Sequence, residues 1–149
     1  MNPPAAWSKL AAGALVLAAC ALSPCMAVAA EKEVPQPPKV VLPQSVQSIR
    51  AQELGLALSE GKFGTIIDIR TPDETRRTSL LPKAIPIDYF ASNFLEMVEH
   101  ANVDRSRPCL IYCALGGRAR RSAVLLAARG HTNIVVLEDG YDAWMKVTK

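Results

Sequence analysis

Residues 108–130 have the sequence PCLIYCALGGRARRSAVLLAARG. The apolar run at 110–112 predicts a buried β-strand, and the glycine pair that follows favours a tight turn. The alanines and leucines over 118–129 predict a helix, and Gly130 supplies its stop signal. The stretch therefore predicts a strand, a glycine-rich turn and a helix in direct succession, with Cys113 at the end of the strand.

Strands and helices continue to alternate on both sides of this stretch. Further strands are predicted at 65–69, 134–137 and, more weakly, 84–87. Pro86 favours a position for this weak strand at a sheet edge or in a bulge. Further helices are predicted at 48–61, with Ser48 as cap and Gly61 as stop, at 91–100 and at 141–145. The pattern predicts an α/β fold: a central, mostly parallel sheet of about five strands with helices on both faces.

The first 30 residues have a composition of their own. Lys9 is their one charged residue, an apolar run follows at 10–22, and Ala27-Val28-Ala29 offers a cleavage site, as in a secretory signal peptide. Two alternatives are a bacterial lipobox, in which Cys20 carries lipid, and an uncleaved membrane anchor. All three predict export, to the periplasm in a bacterium, with membrane attachment only if the segment is retained or lipidated.

Two further segments follow the predicted signal peptide. The prolines at 31–44 predict an extended linker, and residues 45–149 remain as one domain. The whole chain has 149 residues and a formal net charge of +3, from 17 Lys and Arg against 14 Asp and Glu. So small an excess, with no basic stripe, argues against nucleic acid as a partner.

Cys113 and the turn after it have the features of an activated thiol. A helix N-terminus stabilises the thiolate, which is the reactive form of cysteine. Gly116 and Gly117 let backbone N–H groups curl around an anion, and Arg118 adds a fixed positive charge. The alternative interpretation is that Cys113 is a small apolar residue buried at a strand end.

The spacing around Cys113 narrows the chemistry. Four residues separate it from Arg118, one fewer than in the C-x5-R loop with which protein tyrosine phosphatases surround a phosphoryl group. The shorter loop favours a smaller centre, a sulfur atom carried on the cysteine.

Cys109 lies four strand steps away from Cys113, about 13 Å, whereas a disulfide needs Cα atoms within about 7 Å. Cys109 is therefore expected in the core, and no second ligand pair suggests a zinc site.

Four stretches together resemble a single-domain rhodanese, a sulfurtransferase. Each is a moderate match alone, but their order and spacing strengthen the resemblance over nearly all of 45–149. They are IIDIRTPDE at 66–74, LIYCALGGR at 110–118, RGHTNI at 129–134 and LEDGYDAW at 137–144.

The resemblance implies a sulfurtransferase that moves a sulfane sulfur through a persulfide on Cys113, without metal or organic cofactor. The donor would be a small sulfur compound such as thiosulfate, and the acceptor cyanide or a thiol. The loop residues expected to bind substrate are Ala114, Leu115, Gly116, Gly117 and Arg118. The resemblance implies that Asp68 and Arg70 support the loop, and the alternative is that they form only a local ion pair. Glu74 is expected to cap a helix or pair nearby.

The chain also departs from the family pattern. At 79–84 it has SLLPKA, which lacks the usual histidine and both glycines, and Thr75 replaces an aromatic residue. Ala114 and Leu115 give the loop no charge, so thiosulfate is expected to be a poor donor. These departures leave open a non-catalytic module that binds a partner or senses thiol redox state. A phosphatase or arsenate reductase is the third candidate, and the loop length disfavours it.

Overall fold

A computed structural model describes residues 40–149. The predicted signal peptide, its alternative lipid site at Cys20, and residues 31–39 of the predicted linker lie outside the described residues, so they stay predictions. Within 40–149, no helix combines the length and the apolar character needed to cross a bilayer.

Five strands form one sheet in which every neighbouring pair is parallel. The elements are β1 (Val46–Ile49), α1 (Ala51–Ser59), β2 (Thr65–Asp68), α2 (Pro72–Arg77), β3 (Ile85–Pro86), α3 (Phe94–His100), β4 (Cys109–Tyr112), α4 (Gly117–Ala128), β5 (Ile134–Leu137) and α5 (Gly140–Val147). The strand order is β1-β5-β4-β2-β3. The predicted α/β class and five-stranded parallel sheet are confirmed.

Alternate residues of the central strands enter two separate cores. Ile67 and Ile111 pack on one face with Leu126 of α4, in a cluster that also contains side chains of α3. Leu110 and Val135 pack on the other face with side chains of α1 and α5. Because successive side chains of a strand point to opposite faces, helices cover both sides of the sheet, as predicted.

β1 was not predicted, and the boundaries of several elements differ from the prediction. Ser48 does not cap a helix, since it lies inside β1; α1 begins after Arg50, whose N–H donates to the Glu53 carboxylate at 3.3 Å. The short helix α2 was not predicted. β3 is a two-residue strand at the edge of the sheet, which is the position that Pro86 favours.

Candidate active site

Cys113 follows β4 directly, at the carboxyl end of the sheet. β4 lies between β5 and β2, so the loop after it opens beside the carboxyl ends of both neighbours. Ligand sites of open parallel sheets form at this end. The Cys113 residue is only 1% exposed, yet it lines a cavity of about 440 Å³. Cys113 therefore belongs both to one apolar core of the domain and to the lining of this pocket.

The pocket brings together part of the predicted loop and several side chains from elsewhere. Four of the predicted loop residues line it, and Gly116 is absent from its lining. The lining residues are Glu74, Cys113, Ala114, Leu115, Gly117, Arg118, Arg121 and Asp142. The sequence analysis did not place Arg121 and Asp142 at the site.

Gly116 is required by the way the loop packs. It adopts φ 82°, a left-handed conformation that favours glycine, and it caps α4. A Cβ at this position would lie 1.9 Å from the backbone oxygen of Glu138, in the turn after β5. Gly117 is different, since a Cβ there would meet open space. Of the two predicted loop glycines, close packing therefore requires only Gly116.

The turn after β5 holds the cysteine loop through backbone hydrogen bonds. The N–H of Tyr141 donates to the Cys113 oxygen at 2.8 Å, and the N–H of Asp142 donates to the Ala114 oxygen at 3.0 Å. Gly140 allows this approach, because a Cβ there would lie 2.2 Å from the Ala114 oxygen. The loop is thus fixed by the first turn of α5.

The backbone donors at the start of α4 are not used inside the domain. Among residues 40–149, none of the N–H groups of 114–119 has a hydrogen-bond acceptor. Such donors, together with the helix dipole, favour negative charge beside them. The sequence around Cys113 therefore supplies what an anionic sulfur needs.

Arg118 forms a two-pronged ion pair with Glu74. Its Nη1 and Nη2 lie 2.8 and 2.6 Å from Oε2 and Oε1 of the carboxylate. The Arg118 bond is the main cause that lowers the pKa of Glu74 to about 2, and bonds from Thr71 help. In turn, the Glu74 bond is the main cause that raises the pKa of Arg118, and the Cys113 side chain adds to it. Arg118 is thus paired and charged beside Cys113.

Glu74 also caps α2. Its carboxylate accepts from the Thr71 N–H at 2.8 Å and from the Thr71 hydroxyl at 2.9 Å, while its own N–H donates to that hydroxyl. This is a capping box, and its Thr-x-x-Glu signature at 71–74 is visible in the sequence. Glu74 therefore both caps and pairs, and α2 carries it to the pocket.

Asp68 and Arg70 form a buried ion pair at the end of β2. The Arg70 Nη2 lies 2.6 Å from Oδ2 of Asp68, and the two residues are 3% and 0% exposed. The Arg70 guanidinium lies 3.9 Å from the ring centroid of Tyr141, which stacks on Tyr112. Neither charged side chain bonds to residues 113–118 in the described structure. They contact the loop only indirectly, through Tyr112, which precedes Cys113, and Tyr141, whose N–H binds the Cys113 oxygen.

The unusual segment at 78–84 is attached to the same buried group. Arg70 donates to the Thr78 hydroxyl at 2.6 Å and to the Ser79 oxygen at 3.0 Å. The Leu81 N–H donates to the Tyr112 hydroxyl at 3.1 Å. Lys83 adopts φ 60°, a left-handed conformation that favours glycine. The segment keeps ordered contacts although it lacks the family's usual residues.

Cys109 lies at the start of β4, the end of the strand remote from Cys113. It is 4% exposed, and burial raises the pKa of its thiol to about 12. Both cysteines are free. Cys109 is a core residue, as predicted, and its thiol stays protonated at neutral pH.

Comparisons with known proteins agree with this architecture. The tRNA sulfurtransferase of Shewanella frigidimarina is 37% identical over 76 residues, which are 48% of this chain and 14% of that protein. A sulfurtransferase of Allochromatium vinosum is 25% identical over 101 residues, which are 68% of this chain and 90% of that protein. The chain thus matches only a small part of the tRNA sulfurtransferase.

Solved structures show the same fold. The rhodanese-like domain protein of Staphylococcus aureus superposes with a TM-score of 0.56 at 30% identity, covering 66% of this chain and 90% of that one. The family model for the rhodanese-like domain matches residues 50–147, which include every element after β1. By this match, and by the parallel sheet that carries Cys113 at its carboxyl end, the chain belongs to the rhodanese-like domain family.

Proposed function

We propose that this protein is a sulfurtransferase that carries sulfur as a persulfide on Cys113. The observation that carries the proposal is the position of Cys113: this residue lines a pocket and stands at the start of a run of unused N–H donors. Relatives named as sulfurtransferases support the same chemistry. The pocket also gives a small sulfur compound access to the cysteine.

The first half-reaction is an attack by the Cys113 thiolate on the outer sulfur of a donor such as thiosulfate. A new bond forms between Sγ and that sulfur, and the donor's sulfur–sulfur bond breaks. Its electron pair leaves with the remaining fragment, which is sulfite when the donor is thiosulfate. The N–H groups of 114–119 then stabilise the charge on the outer sulfur of the persulfide.

The second half-reaction returns the enzyme to its starting state. Cyanide or a thiolate attacks the outer sulfur, the bond to Sγ breaks, and its electron pair restores the Cys113 thiolate. Because donor and acceptor react in separate steps, the kinetics are expected to be ping-pong.

The proposal is tested by intact-protein mass spectrometry. The full chain, incubated with a sulfane-sulfur donor and freed of excess reagent, should gain the mass of one sulfur atom and lose it on addition of cyanide. The Cys113→Ser variant should gain none and transfer none. Cys109→Ala is the matched control, since it removes the other described cysteine, and it should still gain the sulfur.

Two outcomes would contradict the proposal. One is a Cys113→Ser variant with full transfer activity. The other is a wild-type chain that accepts sulfur from no donor in a panel of thiosulfate, polysulfide and alkyl persulfides. The second result would favour a module of the same fold that binds a partner without turnover.

A further inference from the structure

The charges of the pocket are arranged in an unexpected way. Its lining contains two arginines, Arg118 and Arg121, and two carboxylates, Glu74 and Asp142. The formal charges of these side chains cancel, and the Cys113 thiolate adds a further negative charge when it is reactive. A dianion that enters this pocket therefore meets no excess of cationic side chains.

The arginine whose charge interacts with the Cys113 side chain is also the one that is paired with a carboxylate. Glu74 holds Arg118 at 2.6 and 2.8 Å, and the two side chains are only 32% and 17% exposed. The residues are 44 positions apart in the sequence, so the pair is a tertiary contact made by α2 and α4. Partial burial strengthens the attraction, and each bond occupied by Glu74 is withheld from a substrate oxygen.

One lining residue of the pocket, Leu115, is a large apolar side chain, and a second exposed apolar side chain, Phe90, lies outside the lining but close to Arg118. Leu115 is 71% exposed at the tip of the cysteine loop, and the Phe90 ring, 68% exposed, lies 5.8 Å from the Arg118 guanidinium. Large apolar side chains with this exposure suit an organic group better than a sulfonate.

We propose that Glu74 determines donor selectivity: by binding Arg118 it disfavours dianionic thiosulfate and leaves the pocket to organic persulfides of low charge. This inference rests on the proposed sulfurtransferase function. In the favoured reaction the Cys113 thiolate attacks the outer sulfur of R–S–SH. The Sγ–S bond forms, the donor's S–S bond breaks, and R–S⁻ leaves with its electron pair. The proton on the transferred sulfur passes to solvent, so the step needs no oxidant or reductant.

The Glu74→Gln variant tests this proposal. Glutamine keeps the shape and is also accepted at this position of a capping box, so α2 should still form. Steady-state kcat/KM is measured with thiosulfate and with an alkyl persulfide of uncharged side chain, cyanide being the acceptor in both series. For thiosulfate we expect kcat/KM to rise about tenfold, mainly through KM, because one carboxylate no longer neutralises Arg118. For the alkyl persulfide we expect a change of less than about twofold.

Glu53→Gln is the matched control. Glu53 also accepts a backbone N–H at the start of a helix, but it lies on α1, outside the pocket lining. The Glu53→Gln variant should leave kcat/KM unchanged for both donors. Asp142→Asn is a second test that leaves α2 intact. It removes the other carboxylate of the pocket and should raise kcat/KM for thiosulfate about threefold.

The outcomes separate this inference from the proposed function. If wild-type protein forms the Cys113 persulfide but Glu74→Gln leaves the ratio of the two donors unchanged, the selectivity proposal is wrong and the sulfurtransferase proposal stands. If no donor forms the persulfide, the proposed function itself fails. Should Glu74→Gln not fold, as judged by circular dichroism, Asp142→Asn decides: a rise for thiosulfate supports charge-based selectivity, and no rise overturns it.

Discussion

Arg70 shows how much a single buried charge can organise. Its guanidinium binds Asp68 on one side, the Thr78 hydroxyl and the Ser79 oxygen on another, and the Tyr141 ring on its face. Removing two charges from water is expensive, and such pairs often add little net stability. The value of this pair lies in joining the end of β2 to the segment that follows α2.

Replacing one partner of the pair should be costly. Asp68→Asn leaves the 3% exposed Arg70 without its counter-charge, and we expect the free energy of unfolding to fall by about 3–5 kcal/mol. Asp73→Asn is the control, since it breaks the exposed ion pair with Arg76 and should change stability by less than about 0.5 kcal/mol. Urea unfolding followed by circular dichroism measures both, and equal losses would refute the argument.

At this scale the sequence identified candidate residues but not the side chains that they contact. Cys113 and Arg118 were identified because one follows a predicted strand and the other begins a predicted helix, whereas Asp68 and Arg70 were identified through the resemblance to the family. The contact between Glu74 and Arg118 was not, because 44 residues separate them and only the tertiary fold brings α2 beside α4. The burial of Arg70 likewise depends on rings supplied by later parts of the chain.

Among the elements, the turn from β5 into α5 supports the cysteine loop. Two glycines with positive φ, Gly116 and Gly140, let the two backbones approach so closely that a Cβ on either side would collide. The loop is therefore positioned by backbone against backbone, which leaves its N–H groups free for a ligand. A site built in this way depends on glycine more than on any side chain of the loop.

A pair of glycine variants separates close packing from backbone strain. Gly116→Ala combines φ 82° with a Cβ 1.9 Å from the Glu138 oxygen, and it should lower stability by more than about 3 kcal/mol and abolish persulfide formation. Gly130→Ala has a similar φ of 86° in open space, and it should cost about 1 kcal/mol without affecting transfer. Thermal unfolding and the mass-spectrometric assay compare them. Similar losses in both variants would show that strain alone matters.

The elements with a clear apolar pattern were predicted, and two elements without one were missed. β4 and β5 follow from continuous apolar runs, and α4 follows from its alanines and leucines and the glycine after it. β1 was missed because its four residues, VQSI, show no run and precede a clear helical pattern. α2 was missed because none of its six residues is buried, so it has no apolar face to detect. β1 is formed by pairing with β5, whereas α2 is favoured locally by its Thr71/Glu74 capping box and the proline at its start, signals that the sequence analysis did not use.

The molecule as a whole depends on that unpredicted first strand. β1 pairs with β5 from Val46 opposite Ile134 to Ile49 opposite Leu137, and β5 in turn supports β4 and the cysteine. Val46 and Ile49 are each less than a tenth exposed and belong to opposite cores. The strand lies outside the matched family region at 50–147, yet it closes one side of the sheet.

Truncation at two points tests the importance of β1. A chain that begins at residue 40 keeps the strand and should unfold cooperatively and form the persulfide. A chain that begins at residue 51 exposes the edge of β5 and opens both cores, so we expect a much lower melting temperature and aggregation. Circular dichroism and size-exclusion chromatography measure the difference. An equally stable shorter chain would show that β1 is dispensable.

Pro86 has a consequence for how copies of this molecule meet. It forms half of the outermost strand, β3, and it has no N–H to offer a neighbour. An exposed edge strand otherwise acts as a template with which a strand of another polypeptide can pair. β3 is too short and has too few N–H donors for such pairing. This disfavours sheets that continue from one molecule to the next through β3, and the fibrils that would grow from them.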